Sequence, residues 1–143
     1  AIIDSLKWLK KKGKVFNTVI LLQPTNPVRN IIEFNKALTI FKKENLDSLV
    51  SVIKMREHPY ECIEIKKNSF QFLKKNPDKK NTNRQAYNKN FFFIDGNFYI
   101  ARVSFLLKHK KFINKKTKFF IQKSVWPIDI DYLEDIKVAE NFL

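Results

Sequence analysis

The sequence has a single cysteine and no long apolar run. These two features argue against a disulfide-stabilised secreted protein and against a membrane-spanning one. Its single cysteine, Cys62, cannot form an internal disulfide, which fits a reducing cytoplasmic location. No run of consecutive apolar residues exceeds about four, so we expect no membrane-spanning helix and no membrane partner. The opening stretch "AIIDSLKWLKKKGK" also lacks the order of a signal peptide, in which charge precedes an apolar core. We therefore expect a cytoplasmic protein.

Arginine is scarce as well, although the chain is strongly basic. Lysine and arginine number 28 against 14 acidic residues, a formal net charge of +14. Such a charge points to nucleic acid, but only four of the basic residues are arginine, the residue that reads base edges bidentately. The joint abundance of Lys, Asn, Ile and Phe indicates an AT-rich coding sequence instead. We expect no nucleic-acid partner, and a non-catalytic basic binding module stays as an alternative.

Helical and strand-like patterns alternate along the 143 residues, which have the size of one domain. Strand, helix and strand over 17–55 indicate a βαβ unit, so we predict an α/β fold with a mainly parallel sheet flanked by helices. We see no linker, so 1–143 is expected to belong to one domain. The patterns predict helices near 2–12, 30–44, 103–112 and 132–143, and strands at 17–23, 47–55, 61–65, 91–101 and 117–122, with an Asp-Gly turn splitting the run 91–101.

Polar residues follow the first predicted strand in "LLQPTNPVR" (21–29). This run delivers Gln23, Thr25 and Arg29 to the carboxyl end of the strand, where ligands bind in open α/β sheets. By itself the stretch is equally a rigid strand-to-helix loop with a polar cap.

Four acidic residues stand close together in "WPIDIDYLEDIKVAE" (126–140). Asp129 and Asp131 alternate with isoleucines, so on a strand both carboxylates would face one cleft while the isoleucines enter the core. Mg²⁺ takes one or two carboxylates plus substrate phosphates, so this pair predicts a magnesium site. Glu134 and Asp135 fall in the first turn of the last helix, where the helix dipole favours negative charge. The alternative is that all four acids only begin a helix.

Four stretches, in order, resemble the acylneuraminate cytidylyltransferases, the CMP-sialic acid synthetase family. "LLQPTNPVR" is similar to the family's LLQPTSPLR, and "DSLVSV" followed by "EHPY" is similar to its strand and HP pair. "NRQAYNKNFFFIDGNFYI" resembles its RQ element and N-G-x-x-Y-I strand. "WPIDIDYLEDIKVAE" resembles its S-x-D-I-D-T-x-x-D-x-x-x-A-E ending. The resemblance covers nearly the whole chain.

The resemblance implies a Rossmann-like nucleotidyltransferase fold and a cytidylyltransferase that joins CTP to a nine-carbon, sialic-acid-like sugar. In that reaction the anomeric hydroxyl attacks the α-phosphorus of CTP and pyrophosphate leaves. Asp129 and Asp131 would hold Mg²⁺ and serve catalysis. The arginine fork of Arg84, with Gln85, would suit the sugar carboxylate, although a solvated loop arginine is the alternative. The substrate-binding residues implied are Gln23, Thr25, Arg29, Arg84 and Gln85.

The chain also departs from the family. The family has Asn where Asp95 stands and Thr where Tyr132 stands, and Tyr60 and Glu61 replace a lysine that some members carry after the HP pair. These differences leave the particular sugar open. The family's glycine-rich basic loop, which grips the CTP triphosphate, has no match in a chain with only two glycines. We therefore expect this chain to be the carboxyl-terminal part of the enzyme.

The segment 66–90 interrupts the α/β pattern with eight basic groups and one acidic residue, Asp78. A solvated lysine face is the simplest interpretation. The resemblance implies instead that this region reaches across a homodimer, and Phe70 and Phe72 have no obvious core. We therefore predict that residues 58–93 form a homodimer contact and help to bind the sugar.

A metal-dependent glycosyltransferase is the second alternative, because "DID" (129–131) is also a D-x-D sequence. That short sequence usually lies in the middle of a chain, with acceptor-binding sequence after it. Here only one predicted helix follows.

The missing triphosphate loop generates the first prediction. We expect the 143-residue chain alone to form no CMP-sugar from CTP, Mg²⁺ and N-acetylneuraminate, because its residues cannot orient both phosphates and sugar. Chromatography of the reaction mixture measures this, and a CMP-sugar product above the enzyme-free blank would contradict it.

Overall fold

The structure, a computed structural model, describes residues 1–67, 69–76, 87, 90–123 and 128–142. They fall into two compact units, unit 1 (Ala1–Ile53 with Ile94–Leu143) and unit 2 (Lys54–Phe93). No helix in the described ranges is long and apolar enough to cross a membrane. The helices are α1 (Ile2–Lys11), α2 (Ile31–Lys43), α3 (Val103–His109) and α4 (Leu133–Glu140), and the strands are β1 (Thr18–Leu21), β2 (Ser48–Lys54), β3 (Ile63–Lys66), β4 (Ser69–Phe72), β5 (Phe92–Arg102) and β6 (Lys118–Ile121).

The ends of α1 and α2 follow the expected capping chemistry. After α1, Gly13 takes φ +75° and donates to the Lys10 carbonyl, while the Lys14 N–H donates to the Leu9 carbonyl. This pair of bonds is a Schellman cap, in which glycine adopts the left-handed conformation without strain. Before α2, the Asn30 side chain accepts from the N–H groups of Ile32 and Glu33, so Asn30 is the N-cap of this helix.

The predicted mainly parallel, Rossmann-like sheet is wrong. The four-stranded sheet has the order β1-β5-β2-β6, with one parallel pair, β2 with β6, and otherwise antiparallel neighbours. β5 lies between β1 and β2, so the strands of the predicted βαβ unit point the same way without pairing directly. The expectation failed because β1 pairs with a strand far along the chain, in a register that joins Thr18 to Arg102.

The core of unit 1 lies where α2 covers the two central strands. β2 is buried from Ser48 to Val52, as expected for a strand covered on both faces. The buried cluster comprises Ala37, Phe41, Leu49, Phe98 and Ile100.

Two further local expectations differ from the structure. The Asp95-Gly96 pair does not turn the chain, because β5 runs unbroken from Phe92 to Arg102 with Gly96 at φ +74° inside it. At this point β5 runs beside β2, and this strand neighbour outweighs the local turn preference of Asp-Gly. α4 (Leu133–Glu140) is shorter than the helix predicted near 132–143, and within it only Ala139 is buried while Leu133 is 79% exposed.

Unit 2 contains an antiparallel hairpin, β3 with β4, and a cluster of aromatic rings. His58 packs against Tyr60, Tyr87 and Phe91, with ring centroids 4.4 to 5.0 Å apart. Tyr60 is buried. His58 thus belongs to the packing of this unit.

Candidate functional site

A group of buried and half-buried polar side chains gathers at one edge of the sheet in unit 1. The loop after β1, the end of β2, the beginning of β5 and the residue after β6 all contribute to it. Strands that point the same way end at the same edge, and antiparallel β5 begins there. We call this group the polar cluster; its members are Gln23, Asn26, Arg29, Ser51, Asp95, Asn97 and Gln122.

The carboxylate of Asp95 is the centre of the polar cluster. Asp95 is only 4% exposed. Its Oδ1 lies 2.5 Å from Ser51 Oγ and accepts from the Asn97 N–H at 3.1 Å, and its Oδ2 accepts from Gln122 Nε2 at 2.5 Å. Ser51 Oγ in turn accepts from the Phe98 N–H at 3.0 Å. Uncharged donors therefore satisfy a buried charge and join β5 to β2 and to the end of β6.

Two asparagines connect this centre to the loop 22–30. Asn26, fully buried, donates from Nδ2 to the Asp95 carbonyl at 2.6 Å. Asn97 Nδ2 donates to Asn26 Oδ1 and to the Val28 carbonyl, both at 2.8 Å. The donors and acceptors alternate along this chain of bonds, so each amide has one permitted orientation. The loop is thereby held in one shape.

Arg29, predicted to bind substrate, is directed toward the backbone of the cluster. Its Nε donates to the Asn97 carbonyl at 3.2 Å and its Nη2 to the Gln23 carbonyl at 2.5 Å. Burial lowers the pKa of Arg29, but a guanidinium stays charged at neutral pH. Two of its donors thus hold the loop 22–30 in place, and its positive charge belongs to the polar cluster.

Gln23 and Thr25 occupy the same loop. A Cβ placed on Gly96 would lie 2.5 Å from Gln23 Oε1, so the Gln23 side chain depends on the absence of a side chain at Gly96. Thr25 is exposed, and its carbonyl accepts from the Ile130 N–H at 2.7 Å. This bond joins the loop to the "DID" stretch, two segments far apart in sequence.

The acidic stretch is not a strand, in contrast to the expectation. Ile128 is buried, whereas Asp129 and Asp131 are exposed, so the expected alternation of burial holds at these three positions. The Asp135 carboxylate accepts from the N–H groups of Asp131 and Tyr132, at 3.0 and 2.8 Å, and caps α4. Within the described ranges, no three His, Cys, Asp or Glu side chains group as metal ligands.

Tyr99 lies within electrostatic reach of two carboxylates of this region, a proximity that sequence reasoning missed. Burial raises the pKa of its phenol, and the charges of Asp95 and Asp129 raise it further. Both carboxylates thus act on one hydroxyl, which keeps its proton at neutral pH and can serve as a donor. The spacing of four residues after Asp95 along a strand gives the only sequence signal for this proximity.

Two carbonyl oxygens of the polar cluster have no partner among the described residues. They are Asn97 Oδ1 and Gln122 Oε1, and both residues are at most 3% exposed. A buried acceptor of this kind is normally satisfied by an ordered water or a ligand donor. The cluster can therefore accept hydrogen bonds as well as shape the loop.

Ser51, Asn26, Asn97 and Gln122 were also absent from the sequence-based set, because single polar residues inside apolar runs carry no periodic signal. Arg84 and Gln85, which were in that set, lie outside the described residues. No family model matches the chain, and no curated protein matches it.

The contact between Gly96 and Gln23 generates the second prediction. Gly96→Ala should destabilise the protein by more than Gly13→Ala, because both glycines have φ near +75° but only Gly96 has a neighbour within 4 Å. In both variants an alanine at positive φ should lower the free energy of unfolding by about 1 to 2 kcal/mol. Any further loss in Gly96→Ala measures the cost of displacing the Gln23 side chain. Denaturant unfolding of both variants measures it, and equal losses would show that Gln23 does not occupy this position.

Proposed function

We propose that this chain is part of a cytidylyltransferase that activates a sialic-acid-like, nine-carbon sugar with CTP. The four matching stretches supply the chemical identity of the proposal. The structural support is the hydrogen bond from the Ile130 N–H to the Thr25 carbonyl. It brings together "LLQPTNPVR" and "DID", the two stretches that the reaction would need. Neither stretch alone is specific.

The residues of "DID" fit a magnesium ion. Asp129 and Asp131 are exposed and make no ion pair within the described ranges, so their carboxylates are available to a cation. Mg²⁺ normally keeps several waters and shares one or two carboxylates with substrate phosphates. Bound there, the ion would neutralise charge on the phosphate oxygens.

The chain's own residues then have distinct tasks. Asp129 and Asp131 hold the cation, and Gln23 presents an amide that can both donate to and accept from a sugar hydroxyl. Arg29 acts as a positioning residue that fixes the Gln23 carbonyl. Arg84 and Gln85 remain proposed partners of the sugar carboxylate.

An assay of the complete gene product separates the proposal from its main rival. CTP with a free nonulosonic acid should yield a CMP-sugar and pyrophosphate. A sugar nucleotide with an acceptor should yield no glycoside. The opposite pattern would identify a glycosyltransferase that uses "DID" as its metal-binding sequence.

The third prediction concerns the two exposed carboxylates of "DID". Asp129→Asn or Asp131→Asn in the complete gene product should lower magnesium-dependent turnover by roughly 10²-fold or more, the scale of one electrostatic contact to the transition state. Thermal stability should change little, because both side chains are exposed.

Glu134→Gln is the matched control, since Glu134 is an exposed acid in the first turn of α4. It should cost about 0.3 to 1 kcal/mol of helix stabilisation and leave turnover nearly unchanged. Equal, mild losses of turnover in all three variants would mean that the acids only begin a helix.

We further propose that the hairpin of unit 2 contributes to a homodimer. Cross-strand pairing places Ile63 opposite Phe72 and Ile65 opposite Phe70, so four large apolar side chains share one face. Each of them is between 45% and 73% exposed. The opposite face holds Glu64 bonded to Gln71, which suits solvent. A two-stranded hairpin with an exposed apolar face is marginal by itself, and an isologous partner would cover it.

The fourth prediction tests this contact. Phe70→Ser with Phe72→Ser should convert a dimeric gene product to monomers at micromolar concentration, because it removes the aromatic pair whose rings lie 5.8 Å apart. Light scattering measures the mass. Gln71→Ala, on the polar face, is the control and should leave the dimer intact. A wild-type protein that is monomeric would rule out the proposal.

A further inference from the structure

One groove in unit 1 combines lysines with exposed apolar side chains. It runs between α1 and α3 and continues to the residues before β1. Its lysines, Lys7, Lys10 and Lys14, are exposed. Val15 is 73% exposed, Phe16 49% and Leu107 40%. We call it the lysine groove; its outer residues are Lys7, Lys10, Lys14, Val15, Phe16 and Leu107.

The charge around the lysine groove is almost uncompensated. Residues 1–17 and 103–117 together hold ten lysines and one acidic residue, Asp4. A second groove adjoins the first at Lys7 and adds Lys110 and Lys111. The positive field therefore extends along one side of α1 and α3.

The fold pairs few of these charges. Within the described ranges no lysine of the groove forms a salt bridge, although the amino terminus and, to a lesser extent, Lys7 lower the pKa of Asp4. Clustered lysines that repel one another lower stability slightly unless an external anion is present. The groove therefore has the electrostatics of a binding surface.

The apolar side chains decide which anion fits. A nucleic acid would stack successive bases on aromatic rings, and the lining of this groove has a single one, Phe16, beside the aliphatic Val15 and Leu107. A bilayer surface instead accepts aliphatic and aromatic side chains at the level of the acyl-chain boundary while lysines meet the lipid phosphates. Lysine, a compact point charge without the arginine fork, suits such unspecific phosphate contacts.

We infer that the lysine groove is a peripheral docking site for a membrane surface rich in anionic phospholipid, with Val15 and Phe16 entering the interface. This inference departs from the expectation of no membrane partner, which rested only on the lack of a long apolar run; that no described helix could span a membrane is unaffected. The inference does not depend on the proposed cytidylyltransferase activity, since the groove shares no residue with the polar cluster or with "DID".

The test is co-sedimentation of the chain with vesicles. Binding to phosphatidylcholine vesicles containing phosphatidylglycerol should exceed binding to pure phosphatidylcholine. Replacing the groove lysines together (Lys7→Gln, Lys10→Gln, Lys14→Gln) should lower the partition coefficient roughly 10-fold or more, because each lysine near an anionic surface contributes substantially. Val15→Ser should weaken binding several-fold even in high salt, and its exposure makes folding insensitive to the change.

A second lysine triple provides the control. Lys36→Gln, Lys42→Gln and Lys43→Gln remove the same charge from exposed positions of α2 and should change binding by less than the groove triple. Equal losses in both triples, no preference for anionic vesicles, or an inert Val15→Ser would overturn the inference. Retention of a single-stranded oligonucleotide that depends on the groove lysines, without vesicle binding, would also overturn it and identify nucleic acid as the partner. Circular dichroism of each variant confirms the fold.

Discussion

The buried carboxylate of Asp95 is the interaction on which the rest of unit 1 depends. A buried charge is costly unless hydrogen bonds replace its water, and here Ser51, Gln122 and the Asn97 N–H do so. Those partners belong to β2, the end of β6 and β5, so one side chain fixes three strands at one edge. The Asn97 carbonyl also accepts from Arg29, while the Asn97 N–H donates to Asp95. The backbone of Asn97 thus links the guanidinium of Arg29 to the carboxylate of Asp95.

Elements were easier to predict from the sequence than their arrangement. The predicted helices near 2–12 and 30–44 rest on the local spacing of apolar residues, and the structure follows them as α1 and α2. The strand order is not local. "NTVILLQ" has the short apolar run of a buried parallel strand, yet its partner is antiparallel β5. Asp95-Gly96 shows the same limit, because β5 continues beside β2 through a pair with a strong turn preference.

The site divides in a similar way. Gln23, Thr25 and Arg29 could be selected because they follow an apolar strand, and "DID" because its acids alternate with isoleucines. That Arg29 supports the loop backbone could not be inferred, since its acceptors are main-chain carbonyls set by tertiary structure. Ser51 and Gln122 could not be identified as site residues from the sequence, for a related reason. Each is a lone polar residue whose role exists only when Asp95 is buried beside it.

The position of β5 between β1 and β2 sets an order of events during synthesis. A ribosome releases residues 18–54 first, but these two strands have no direct pairing, so the nascent chain holds two unpaired edges until residues 92–102 emerge. Closing the sheet then requires a contact as distant as Thr18 with Arg102, which is slow because of loop-closure entropy. During that interval the unpaired edges of β1 and β2 are open to other chains. Nascent chains crowded on one polysome are therefore at risk of pairing with each other.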